Sequence, residues 1–295
     1  MLSIVLTELQ KIKRYHILLI GIIGMALSPI LGLITQNVAI EEAKNPNFDL
    51  SALVDSTIWN NATVFMPIIF TLIGGYLINR EYTDDTLKNV LVVPVSFPKL
   101  LTGKLTAIGI LSLILGMYSF IITIIVGIFA GLPGLDIFTL TKGMFYMLGI
   151  SICIYIAVLP IIAFCGRTPG FFMGGSVIAF VLGYCSMFFK SGLLRNIYPF
   201  LASFTVIGFD TTSYISAKSK ASVPLGLASL GAMLLISAFI IAISKTPGEA
   251  KTKQKKNNIS LRPAQRERIK TKQINDGKVD DMCHKKYFLL CLCVL

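Results

Sequence analysis

The sequence predicts an all-α integral membrane protein with six transmembrane helices, an N-terminal amphipathic helix in the membrane interface and both termini in the cytoplasm. Hydrophobic residues make up 54% of the 295 and charged residues only 14%, against roughly 45–50% and about 25% in soluble domains, and the mean hydropathy is +0.75. The apolar residues gather in runs of about 20, the length a helix rising ~1.5 Å per residue needs to cross ~30 Å of hydrocarbon. Lysines and arginines concentrate in alternate connections between these runs, the pattern that sets orientation in a bilayer.

The first element is the stretch Leu2 to Tyr15. On a helix Leu2, Val5, Leu6, Leu9 and Ile12 share a face, with Glu8, Lys11, Lys13 and Arg14 mostly off it. Such a segment is expected to lie in the inner interface rather than to act as a cleavable signal. The expected spans follow: His16 to Thr35, Thr57 to Ile78, Leu105 to Ala130, Gly143 to Cys165, Pro169 to Phe189 and Val223 to Ile243. Between them lie a polar stretch from Gln36 to Ser56, a polar segment from Asn79 to Lys104, a tight turn at Gly131 to Asp136, the three-residue link Gly166 to Thr168, and a polar loop from Lys190 to Ser222. The three-residue link makes the fourth and fifth spans an antiparallel hairpin.

With the N-terminus inside, the inner segments near the spans carry 13 lysines and arginines and the outer segments 6. Residues 1–245 form the membrane domain, and 246–295 are expected to be a basic, disordered cytoplasmic tail. Much of the net charge of +12 lies in that tail, which suits anionic inner-leaflet lipid and does not argue for nucleic acid. Its last nine residues, Tyr287 to Leu295, are mostly apolar but too short to span.

Several chemistries are disfavoured. No Asp, Glu, Lys or Arg falls inside the six runs as drawn, whereas ion-coupled transport depends on such groups at membrane depth. His16 and His284 have no partner pattern for zinc, and Cys153, Cys165 and Cys185 read as packing residues, so no metal site is expected. Gly103-Lys104 is followed by Leu105, and Pro98 stands where a phosphate loop would need its first glycine. ATP hydrolysis, if the chain uses it, belongs to another subunit. Pro29, Pro67 and Pro160 interrupt spans as kinks or hinges. Gly170 and Gly174 have the spacing of a helix-packing face, and Trp59 reads as an interface anchor at the outer entry of the second span.

The segment Asn79 to Lys104 has the grammar of a short helix. Thr83 can cap it, Asp84 and Asp85 suit its first turn, and Pro94 stops it. Leu87, Val90, Leu91 and Pro94 form an apolar stripe that is expected to rest on lipid headgroups, on neighbouring helices or on another protein, the plainer alternative being an inside loop obeying the charge rule. Ser96 can cap the next helix, with Pro98 in its first turn.

The motif Arg80-Glu81-Tyr82, then Thr86-Leu87-Lys88, Leu91, Pro94-Val95-Ser96 and Gly103-Lys104 resembles the cytoplasmic coupling segment of ABC-2 transporter permeases. Leu6 to Arg14 is similar to that family's interfacial helix. By size and loop pattern the chain looks closest to the lantibiotic-immunity and bacitracin-resistance permeases. Phe97 stands where a basic residue is common. The resemblance implies an exporter of a substrate such as a peptide antibiotic in a bacterial plasma membrane, built from two permease subunits and two ABC ATPase subunits. The ATPases bind the ATP, and this chain needs no cofactor. The coupling residues implied are Glu81 as the coupling acid, Arg80 and Lys88 as electrostatic guides, and Leu87, Val90 and Leu91 as the apolar contact, with Tyr82, Thr86 and Pro94 completing the motif. The rival reading is a non-transporting membrane scaffold or accessory subunit of a signalling complex.

Overall fold

The computed structural model describes residues 2–12, 15–38, 48–83, 97–134, 136–165, 170–189, 196–212, 214 and 222–243. Among them every regular element is helical. In chain order these are α1 (Leu2–Ile12), α2 (Ile17–Val38), α3 (Leu50–Asn60), a π turn (Asn61–Phe65), α4 (Met66–Thr83), α5 (Phe97–Phe129), α6 (Ile137–Cys165), α7 (Phe172–Cys185) with a 3₁₀ turn (Ser186–Phe188), α8 (Pro199–Ile207) and α9 (Val223–Ile243). Five are long and apolar enough to cross a membrane: α2, the continuous rod of α3, π turn and α4, then α5, α6 and α9. The expected fifth span corresponds to the shorter apolar helix Phe172–Phe188.

Several boundaries differ from the hydropathy runs. The second span begins at Leu50 rather than Thr57, because the Asp49 carboxylate accepts from the Ala52 N–H at 2.8 Å and caps the helix seven residues earlier. The Leu50 N–H also donates to the carbonyl of Pro133 at 3.0 Å, tying this start to the turn between α5 and α6. Helix α4 runs on to Thr83, and the short helix expected to start there lies outside the described residues. Helix α5 starts at Phe97, directly after Ser96, which carries Lys99 and Lys104 into the helix. Asp55 and Lys142 are likewise helical, so the helices contain ionisable residues that the apolar runs left outside.

The expected polar loop from Lys190 to Ser222 contains α8, nine residues with the sequence PFLASFTVI. Pro199 opens it at a position needing no N–H, and Gly208 closes it in the left-handed region at φ 71°. It is too short to span, yet Phe200, Leu201, Ala202 and Phe204 are buried against α6 and α9. Trp59 is correspondingly no interface anchor. It is 5% exposed, stacked between Phe204 at 5.1 Å and Tyr214 at 4.7 Å.

Close packing rests on small residues, as expected where lipid removes the hydrophobic drive between helices. Helix α2 turns Gly21, Gly24, Met25, Ser28, Pro29 and Gly32 inward and leaves Leu19, Ile22, Ile23, Ile30 and Ile34 exposed. Gly170 and Gly174 do not form the expected packing face. Gly170 makes a turn at φ 84°, and a Cβ on Gly174 would meet only the Phe171 ring, one turn earlier in the same segment. The glycines of α7 that meet other helices are Gly175, against Cys165, and Gly183, against the carbonyl of Thr63.

Candidate functional site

The polar segment 79–104 leaves the bundle at the end of α4 and returns at the start of α5, and the N-terminal region holds both ends. On the α4 side, the Arg80 guanidinium lies over the Tyr15 ring, 4.2 Å from its centroid, and Nη1 donates to the Tyr76 hydroxyl at 3.4 Å. Tyr76 packs edge-on between Tyr15 at 6.3 Å and Phe172 at 5.8 Å. One residue earlier, the buried Asn79 accepts the Gly170 N–H on Oδ1 at 2.7 Å. Arg80 is thus held by the chain's own aromatics, and the end of α4 is pinned to both the N-terminal region and the turn before α7.

On the α5 side, Lys104 Nζ meets Glu8 Oε2 of α1 at 2.6 Å, with side chains only 6% and 9% exposed. Lys11 Nζ lies 2.9 Å from the other carboxylate oxygen. Burial pushes the Glu8 carboxyl up, but the Lys104 charge, its hydrogen bond and the Lys11 contacts together outweigh it and hold the carboxyl below its ordinary 4.5. Glu8, expected off the apolar face of α1, is instead buried. At 100° per residue, Glu8 lies only about 40° from Ile12, whereas Leu6 lies about 120° from it. The buried face is Val5, Glu8 and Ile12, and Leu6 is 54% exposed. The carboxylate on that face meets the lysine of α5.

Among the motif residues, Glu81 and Tyr82 lie in the last turn of α4. Thr86, Leu87, Lys88, Val90, Leu91 and Pro94 fall outside the described residues, as does the proposed short helix they would form. Sequence reasoning placed Lys104 and Glu8 in their two motifs but missed their pairing, and it missed the roles of Tyr15 and Asn79. Gly103-Lys104 sits inside a helix, with its lysine committed to a carboxylate. Among the described residues no group of three or more His, Cys, Asp or Glu could hold a metal ion.

A lowered carboxyl stabilises above its ordinary value and loses that contribution as pH falls through the folded one. Acid should therefore release α1 only below about pH 4.5. A spin label at the exposed Leu6 reads that release as gained mobility. In Lys104→Met the midpoint should move up; an unmoved midpoint would show that Lys104 is not what lowers Glu8.

The family model described as "ABC-2 family transporter protein" matches residues 4–186. The matched stretch includes α1, the rod of α3 and α4, α5, α6 and α7, and so both ends of the segment. Over 126 residues the chain is 29% identical to the bacitracin transport permease protein BCRB of Bacillus licheniformis, covering 41% of this chain and 60% of that protein. The chain thus spans well under two thirds of this relative's length. The five long apolar helices and the family match together make this a multi-pass membrane protein.

Proposed function

The chain belongs to the ABC-2 family of transporter proteins, and from that premise we propose that it is the membrane-spanning permease subunit of an ATP-binding cassette exporter. A separate ATPase subunit docks on residues 79–104 and supplies the ATP chemistry. A second permease, identical or homologous, completes the complex. The substrate class is a peptide antibiotic, a choice supported by the similarity to the bacitracin permease. The chain sits in a bacterial plasma membrane with both termini cytoplasmic. Phe172–Phe188 serves as the sixth crossing, and residues 246–295 form a basic cytoplasmic tail.

The observation that carries this reading is the double anchorage of the segment. Arg80 on Tyr15 and Lys104 on Glu8 join both ends of residues 79–104 to the N-terminal region. A push on such a segment moves α4 and α5 together with α1 instead of being absorbed at a loose root. A ligand shifts an equilibrium only by its differential affinity for the two states, so docking strength has to change when the ATPases close. Glu81 is the coupling acid, and Leu87, Val90 and Leu91 form the apolar contact.

Charging that contact separates insertion from docking. Leu87→Asp with Leu91→Asp removes several buried methylenes, each worth ~0.8 kcal/mol, and desolvates charge as well. The double variant should reach the membrane at near-normal level yet fail to copurify with its ATPase. Glu81→Ala should keep the complex but uncouple hydrolysis from export. If the doubly charged protein holds its ATPase and exports normally, the segment is an ordinary inside loop and the transporter reading falls.

A further inference from the structure

The rod from Leu50 to Thr83 is broken by one π turn, Asn61–Phe65, the only one among the described residues. Its closing bond runs from the Met66 N–H to the Asn61 carbonyl, five residues back. The next residue, Pro67, has no N–H to offer the Thr63 carbonyl four residues earlier. That carbonyl faces Gly183 of α7, whose missing Cβ would lie 2.5 Å from it. The ladder is thus weakened twice in succession, and both π turns and prolines are recognised points of helix bending.

A polar node surrounds this break. Asn61 is fully buried, and its Nδ2 donates to Ser119 Oγ of α5 at 2.8 Å and to Met147 Sδ of α6 at 3.5 Å. Ser119 Oγ in turn donates to the Met25 carbonyl of α2 at 3.3 Å. Pro29 cannot serve that carbonyl, again for want of an N–H. Four helices thus meet through two side chains at one level. The node is incomplete, because Asn61 Oδ1 is buried with no hydrogen-bond partner among the described residues. A buried acceptor left unpaired raises the free energy of the arrangement that holds it, which narrows the gap to any arrangement that pairs it.

We infer that the π turn is a hinge with two populated states, about which the outer arm Leu50–Asn60 turns relative to the inner arm Met66–Thr83. The inner arm carries Asn79 and Arg80 in its last turns, where the coupling segment is rooted. The outer arm carries Trp59, stacked on Tyr214 with the ring planes 8° apart. The hinge therefore links the cytoplasmic root to the outer aromatic stack, and its use in transport rests on the function proposed above.

Trp59 is the chain's single tryptophan and stands two residues before the π turn, so 5-fluorotryptophan gives one fluorine reporter in the full chain, reconstituted in lipid nanodiscs. The unmodified chain should show a second line, or relaxation dispersion, from a minor state at roughly 1–10%. Deleting Ala62 removes the extra residue that a π turn holds and should abolish the minor state. Ser119→Ala, which leaves the backbone intact and decides the matter if the deletion fails to fold, should raise the minor population about fivefold, the factor one net hydrogen bond carries. A single, non-exchanging line in the unmodified chain overturns the hinge, as does a minor state indifferent to Ser119→Ala. Adding the ATPase with ATP should shift the ratio of the lines. Exchange that persists but ignores a bound, ATP-loaded ATPase overturns the transport reading and leaves the hinge standing.

Discussion

Replacing Glu8 with leucine should cost far more than replacing its partner Lys104 with methionine. Lys104 is 6% exposed on its side chain and lies 2.6 Å from the carboxylate, so Glu8→Leu takes the nearest counter-charge from a buried ammonium. In Lys104→Met the carboxylate keeps Lys11, which is 2.9 Å away and 47% exposed. Water reaches that remaining pair and the loss is smaller. The double change Glu8→Leu with Lys104→Met removes both charges and should recover most of the stability, since well-packed apolar replacements of buried pairs are often neutral or better. Thermal unfolding of the four proteins in one detergent measures the cycle. Equal losses in the two single variants would mean that the pair sits in water and cannot anchor the returning end of the segment.

Adding one methyl group at Gly183 should also be severe. A Cβ there would stand 2.5 Å from the Thr63 carbonyl oxygen and 2.8 Å from the Pro67 ring. Neither the backbone nor a proline ring can step aside as a flexible side chain would. Gly183→Ala therefore forces α7 away from the π turn and α4, at a cost of about 1–3 kcal/mol. Gly231→Ala is the control. Nothing lies within 4 Å of its Cβ position, and relief of glycine's helix penalty gives up to ~1 kcal/mol in the other direction. The prediction fails if the two alanine variants unfold at the same temperature.

The long spans were legible because a run of about 20 apolar residues has few other uses. Their ends were less so, since a helix stops where its backbone loses partners and not where hydropathy falls. Leu50 to Ser56 reads as polar, yet Asp49 caps it. Phe97 to Lys104 carries two lysines, yet it begins after a serine and a proline at a favourable place. Helix α8 was hidden because nine apolar residues inside a polar stretch suggest no crossing, and only its burial against α6 and α9 shows what the residues are for. The motif around Arg80 was visible as a string. What fastens its ends was not: Tyr15 and Glu8 lie about 65 and 96 positions from the residues they hold, and a single sequence does not display pairings at that range.

The unequal lengths of the crossing elements bear on how the protein meets bilayers of different thickness. Leu50–Arg80 and Pro98–Phe129, 31 and 32 residues long, reach about 46 and 48 Å at ~1.5 Å per residue, well beyond ~30 Å of hydrocarbon. Ile17–Val38 and Val223–Ile243, at 22 and 21 residues, match that thickness within a few ångströms. Phe172–Phe188, at 17 residues if wholly α-helical, reaches only about 26 Å. Thicker membranes are therefore taken up by the two long rods without drawing Arg80 into hydrocarbon. As the proposed sixth crossing, the short helix instead obliges the lipid beside it to thin, at a modest cost per ångström, so acyl-chain length acts on the face that α7 presents and leaves the Arg80 end of the rod largely untouched.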